Sequence, residues 1–213
     1  MRGIIYKDFL VACMPKNILS VFVNIVVSLV VVYFFPNMYG LALTVALSIP
    51  VSGSTLLQTA MEQDELCEFD KIQLTFPLTK KQIILSKYIG GLMLESIFLV
   101  LSLIVAIYYY ICGVASLTIV IQMWILGIIV GLVFFAISYV GFYLLGNKKG
   151  TILYIVFTII ACVIYLMTFF NFDILGLLSM NYNVLLAIGM VIAVGCLIIS
   201  YYISVKIYTR RFS

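Results

Sequence analysis

The sequence has no histidine. That removes the side chain most often used for acid–base chemistry at neutral pH and a principal ligand of zinc and haem. Its five cysteines (Cys13, Cys67, Cys112, Cys162, Cys196) are odd in number, scattered and without CxxC spacing. They read as small apolar side chains in packed helices, not as a disulfide framework or metal site. No GxSxG elbow or HExxH helix is present. Gly146–Thr151, GNKKGT, lacks both the spacing and the following lysine of a phosphate-binding GxxxxGK[ST] loop. The expectation is a chain with no catalytic residue, no metal and no ATP site of its own. Charge is scarce as well: 9% of residues, against about 25% in an ordinary soluble domain.

What is present is apolar. Hydrophobic residues make up 65% of the 213 positions, and the mean hydropathy is +1.27. Several runs reach the roughly 20 residues needed to cross a bilayer core. A bare backbone finds no hydrogen-bond partner in lipid, so such runs are helices or strands of a closed barrel. They are continuous, not alternating, which excludes the barrel. The fold class is therefore an all-α integral membrane protein, a single domain over residues 1–213.

Six transmembrane helices are predicted: Ile18–Phe35, Tyr39–Met61, Tyr88–Ile111, Leu117–Leu145, Ile152–Phe170 and Val184–Tyr202. All twelve Lys and Arg fall before the first, between the second and third, between the fourth and fifth, or after the sixth. The other connections hold Asp173 as their one charge. By the positive-inside rule both termini are cytoplasmic. Met1–Lys16 carries Arg2, Lys7, Asp8 and Lys16 among Ile5, Phe9, Leu10 and Cys13, spaced as one apolar helical face. It reads as an amphipathic helix on the membrane surface, ended or bent by Pro15. The first spanning run is long enough to be retained and lacks a small-x-small cleavage pattern.

The polar chemistry gathers in Met61–Lys87, which holds five of the eight acids, four of the twelve bases and one of four prolines. Within this cytoplasmic loop, Leu66, Phe69, Ile72 and Phe76 share an arc of about 120° on a helical wheel. A crosswise helix over Gln63–Phe76 is predicted, with Glu68, Asp70 and Lys71 projecting elsewhere and Pro77 as its stop. Thr79-Lys-Lys-Gln82 reads as a capping box opening a new helix. From Lys80 that helix runs unbroken to Ile111, roughly 48 Å, beyond the membrane on the cytoplasmic side.

Four further signals stand out. Glu95 is the one carboxylate inside an apolar segment, about 10 Å deep along the helix. An acid there is a functional candidate; otherwise it is protonated, hydrogen-bonded to a neighbour such as Asn24 or Gln58, or reached by water. Together these three mark a candidate translocation path. Gly127–Gly131 is a GxxxG face and Gly189–Ala193 a small-xxx-small face, either able to bring helices close. Pro50, with Ser52 and Gly53, predicts a kink in the second span. Tyr108–Tyr110 and Tyr201–Tyr202 lie near helix ends, where interfacial belts form.

The early Tyr6-Lys-Asp-Phe9 and the second loop resemble the permeases of type-2 ATP-binding-cassette (ABC) transporters, especially the small single-domain bacterial kind. The matching loop residues are Asp64-Glu65, Phe69, Phe76-Pro77-Leu78-Thr79-Lys80 and Lys87-Tyr88. Phe76 stands where the family more often has leucine. The motif covers about 30 residues, and the six-helix topology extends the resemblance to the whole chain.

That resemblance implies a half-transporter. Two permease subunits, as a homo- or heterodimer, would sit on two cytoplasmic ABC ATPase subunits that hold the ATP and Mg. Met1–Lys16 would be the connecting helix against membrane lipid, and the loop 62–79 the coupling element. Glu65, Leu66, Glu68, Phe69 and Ile72 would dock on the ATPase, with Pro77, Thr79 and Lys87 shaping the loop. No nucleic-acid partner is implied. The localisation would be a bacterial plasma membrane and the cargo hydrophobic or amphipathic, antimicrobial and toxin peptides being examples. The alternative is an accessory or immunity protein that works without ATPase, or a secondary transporter.

Overall fold

The computed structural model describes residues 2–169 and 181–211. Asp173, the segment 171–180 and Phe170 lie outside them, as do the side chains of Lys16, Asp70 and Lys71. The chain is all-helical, with no strand among the described residues. In order come α1 (Arg2–Ala12), α2 (Pro15–Phe34), α3 (Met38–Leu41), a π-helical segment (Ala42–Ser48), α4 (Ile49–Leu66), α5 (Phe69–Gln73), α6 (Lys80–Ile111), α7 (Leu117–Phe169) and α8 (Tyr182–Arg211).

Local chemistry accounts for most boundaries. Pro15 opens α2 in the first turn, where a missing N–H is not needed. Asn37 caps α3 by accepting from the Gly40 N–H at 2.9 Å. Thr79 and Gln82 form the reciprocal capping box of α6, which then runs 32 residues to Ile111. Gly146 takes φ 75°, a left-handed conformation that suits glycine, and divides the 53-residue α7 into two arms, Leu117–Gly146 and Lys148–Met167. Hydroxyls in the apolar helices bond back to their own backbone: Thr44 to the Gly40 carbonyl and Ser52 to that of Ser48, each at 2.7 Å.

Among the described residues five helices are long and apolar enough to cross a membrane: Met38–Leu66, Lys80–Ile111, Leu117–Gly146, Lys148–Met167 and Tyr182–Arg211. Ahead of them α2 offers a shorter apolar stretch, Val21–Phe34. The kink expected at Pro50 takes the form of the π-helical segment just before it. The Ile49 N–H reaches back five residues to the Thr44 carbonyl, so the helix widens where proline cannot donate.

The GxxxG face of α7 lies against this segment within the same chain. A Cβ on Gly127 would stand 2.5 Å from the Val45 carbonyl oxygen, and one on Gly131 3.4 Å from Pro50. Glycine is needed at Gly127 because its backbone nearly touches that of Val45 and Ala46.

Two expectations are corrected and one is extended. First, the predicted helix over Gln63–Phe76 does not form as one piece. α4 continues through Leu66, the chain turns at Cys67 and Glu68 (φ 51°), and only Phe69–Gln73 is helical again. The shared wheel arc spans a turn that periodicity cannot register.

Second, α1 carries a buried face beside the apolar face expected of it. Ile4, Asp8, Val11 and Ala12 are buried against α4 and α6, while Tyr6, Leu10 and Met14 face outward. Asp8 on that buried face pairs with the neighbouring Lys7.

Third, four of the five cysteines, Cys13, Cys67, Cys112 and Cys162, are exposed on the chain's own surface and not packed within it. A thiol is small and weakly polar enough to be tolerated there. Of the tyrosines near helix ends, Tyr109 turns inward (1% exposed) while Tyr108, Tyr110 and Tyr202 stay outside.

Candidate functional site

The predicted loop is pinned to the helices by a chain of alternating charges. Lys7 of α1 pairs with Asp8 at 2.8 Å and with Asp64 near the end of α4. Asp64 also pairs with Lys87 of α6. Two acids and two bases make the cluster neutral. Lys87 and Asp64 are each only 4% exposed. Asp64 bridges both lysines through different oxygens, which is what a buried carboxylate needs to offset its lost water. Asp8 is less well matched. Burial pushes its carboxyl above the ordinary carboxylate range, while Lys7 and Lys87 pull it back in part.

The cluster rests on an aromatic column. Phe135, Tyr139 and Tyr143 follow one another at four-residue spacing on the first arm of α7. Tyr88 stacks on Tyr139 with centroids 4.2 Å apart and meets Phe135 edge-on at 5.8 Å. The Tyr139 hydroxyl donates to the Lys87 carbonyl at 2.6 Å, and that of Tyr88 lies 2.7 Å from the Ser200 hydroxyl of α8. α1, α4, α6, α7 and α8 are thereby tied at one end of the bundle, the end that carries the loop.

On the loop itself, Leu66 is 70% exposed and Ile72 48%, and Leu74 and Phe76 are exposed beside them. Glu65 and Glu68 are exposed as well. Phe69 differs from the other expected docking residues. It is half-buried, with the Lys7 ammonium 4.3 Å from its ring centroid and Phe76 edge-on at 6.3 Å. Its ring faces its own chain. Pro77 is exposed in the turn leading to Thr79, the N-cap of α6. Lys87, expected only to shape the loop, is a member of the buried cluster.

Among the described residues no hydrogen bond joins Glu95 to Asn24 or Gln58. Gln58 donates to the Thr151 hydroxyl at 3.0 Å. Asn24 lines a cavity of about 170 Å³ between α2, the start of α4 and α6, with Ser28, Ser52 and Phe98. Glu95 is 1% exposed and neither carboxyl oxygen has a hydrogen-bond partner among the described residues, which corrects the expectation of a bond to Asn24 or Gln58. Its carboxyl lies against glycines of two other helices, Gly53 and Gly131, where a Cβ would collide with it.

The sequence reading missed the Asp64–Lys87 pair, although a signal existed. Lys87 occupies the same face of α6 as Ile83, Ile84, Gly91 and Leu94, all buried, and a charge on an apolar stripe calls for a counter-charge.

Long apolar helices in series, with polar groups tied at one end, define a polytopic α-helical membrane protein. The family model described as "ABC-2 family transporter protein" matches residues 3–209, and the chain belongs to that family. A search of curated proteins and a search of solved structures each found no match. The family is a membrane component that generally partners with an ATPase subunit and is generally not catalytic itself.

Proposed function

We propose that this chain is the permease subunit of an ATP-driven exporter, moving a hydrophobic or amphipathic cargo out of a bacterial cell. It spans the plasma membrane six times, α2 included, with both termini and the α4–α6 loop in the cytoplasm. Two copies, or this chain and a paralogue, form the pathway. A separate ATPase pair binds ATP and Mg. Family membership supports the transporter reading, and the distribution of lysine and arginine supports the orientation.

The observation that carries the coupling role is the loop's outer surface. Leu66, Ile72, Leu74 and Phe76 are apolar and exposed at the end away from the apolar spans, with Glu65 and Glu68 around them. Apolar anchors ringed by charge fit a groove on a soluble partner. Inward motion of that partner would reach the helices through Asp64 and Lys87, and from there along the rigid length of α6. Antimicrobial or toxin peptides suit an interior so poor in charge.

The test is co-purification with the Walker-motif ATPase encoded nearest this gene, followed by Leu66→Ala with Ile72→Ala. The complex is expected to form with the wild-type chain, and its ATP-dependent transport to fall at least tenfold in the double variant. Transport that survives deletion of the ATPase would overturn the reading in favour of an accessory protein.

A further inference from the structure

Glu95 sits on α6 two turns beyond Lys87, on the same face. Its carboxyl occupies a niche made by missing side chains. A Cβ on Gly131 would lie 2.6 Å from Oε1, and one on Gly53 would collide with Oε2. No donor among the described residues bonds either oxygen. No cation is available from the helices around it either. Ile49–Met61, Leu117–Leu145 and Ile152–Met167 contain no charged residue.

The titratable groups that face this region are few. Lys7 and Asp8 of α1, Asp64 of α4 and Lys87 of α6 are paired among themselves. The Tyr139 hydroxyl of α7 is committed to the Lys87 carbonyl, and that of Tyr154 in its second arm donates to the Val51 carbonyl at 3.2 Å. An ionised carboxylate in such a niche would give up its water and receive nothing, an arrangement that proteins avoid by neutralising the group.

A small cavity lies at the charge cluster, with Gly91 and Leu94 of α6 in its wall. Its volume of about 10 Å³ is roughly the space for one water, and Asp64, Lys87, Gly91, Leu94 and Tyr139 are among the residues that bound it. Gly91 is one helical turn from Glu95, so the cavity reaches to within a turn of the acid on the loop side.

We propose that Glu95 is a proton-binding site. In this helix arrangement it holds a proton as the neutral acid, and it releases that proton to water when α4 and the first arm of α7 draw apart. The O–H bond of the acid breaks, the proton passes to a water entering from the Gly91 cavity, and the carboxylate left behind is hydrated. Opening of the α4–α7 seam is thereby linked to proton exchange on the loop side. The assignment does not depend on the cargo or on the ATPase.

Infrared spectroscopy of the full chain in lipid nanodiscs tests it. Carbon-13 labelling of glutamate alone shifts the acid carbonyl band of Glu95 and leaves Asp8 unlabelled. At neutral pH a shifted band of a protonated acid is expected, and Glu95→Gln is expected to abolish it. A hydrophobic carbodiimide is expected to modify the peptide containing Glu95 in the wild-type chain, an outcome that needs no variant to fold. Absence of a labelled acid band at neutral pH, or its survival in Glu95→Gln, would overturn the proposal.

Discussion

Replacing Asp64 by asparagine removes the one carboxylate that holds two lysines. Lys87 is buried at 4% exposure and would lose its ion pair with Asp64. Removing one member of a buried pair costs about 3–5 kcal/mol, because the remaining charge stays desolvated. Lys87→Met should cost less, about half as much, since Asp64 keeps Lys7. The double variant Asp64→Asn with Lys87→Met leaves no orphan beside α6 and should be less damaged than the sum, with a coupling of about 1–3 kcal/mol. The assay is unfolding of the purified chain in mild detergent, titrated with SDS and followed by circular dichroism for all four proteins. The reasoning fails if Asp64→Asn unfolds with the wild-type midpoint, or if the two single effects add.

Two further outcomes follow from the geometry. Gly127→Ala drives a Cβ against the Val45 carbonyl and should destabilise by about 1–3 kcal/mol, whereas Gly195→Ala, with nothing within 4 Å, should unfold no earlier than wild type; the same SDS titration reads both. Asp8 has its carboxyl raised in the folded chain, so the unfolded chain gives up the proton first and stability falls as pH rises from the ordinary carboxylate range through the raised folded value. Asp8→Asn should therefore match wild type at acid pH and gain on it as pH rises, in thermal unfolding measured across that range.

What the sequence made legible was local. The Thr79 cap and the unbroken run to Ile111 depend on residues within a few positions of one another, and α6 forms as expected. The π-helical widening sits where Pro50 removes a donor, so a distortion there could be foreseen although its type could not. The loop helix was misjudged because Glu68 adopts φ 51°, a left-handed conformation that a non-glycine residue seldom takes and that no pattern announces. The charge cluster was illegible for another reason. Lys7 and Lys87 reach Asp64 across 57 and 23 residues of chain, and only the packing of α1 on α4 and α6 brings them together. Glu95 was conspicuous as an acid in an apolar run, but its lack of a partner belongs to the glycines of two other helices.

The neutral cluster at the loop also has a history within the life of one molecule. While the chain is still threading into the bilayer, Lys7 and Lys87 are separate positive charges, and as such they help to hold their ends of the helices on one side. Once α1, α4 and α6 have met, the same two lysines are cancelled by Asp8 and Asp64 and add nothing to the net charge of that face. They are spent first as signposts and then as rivets. A substitution such as Lys87→Met therefore acts twice, at birth and in the finished fold, and a count of net positive charge on the mature surface would miss the first of these.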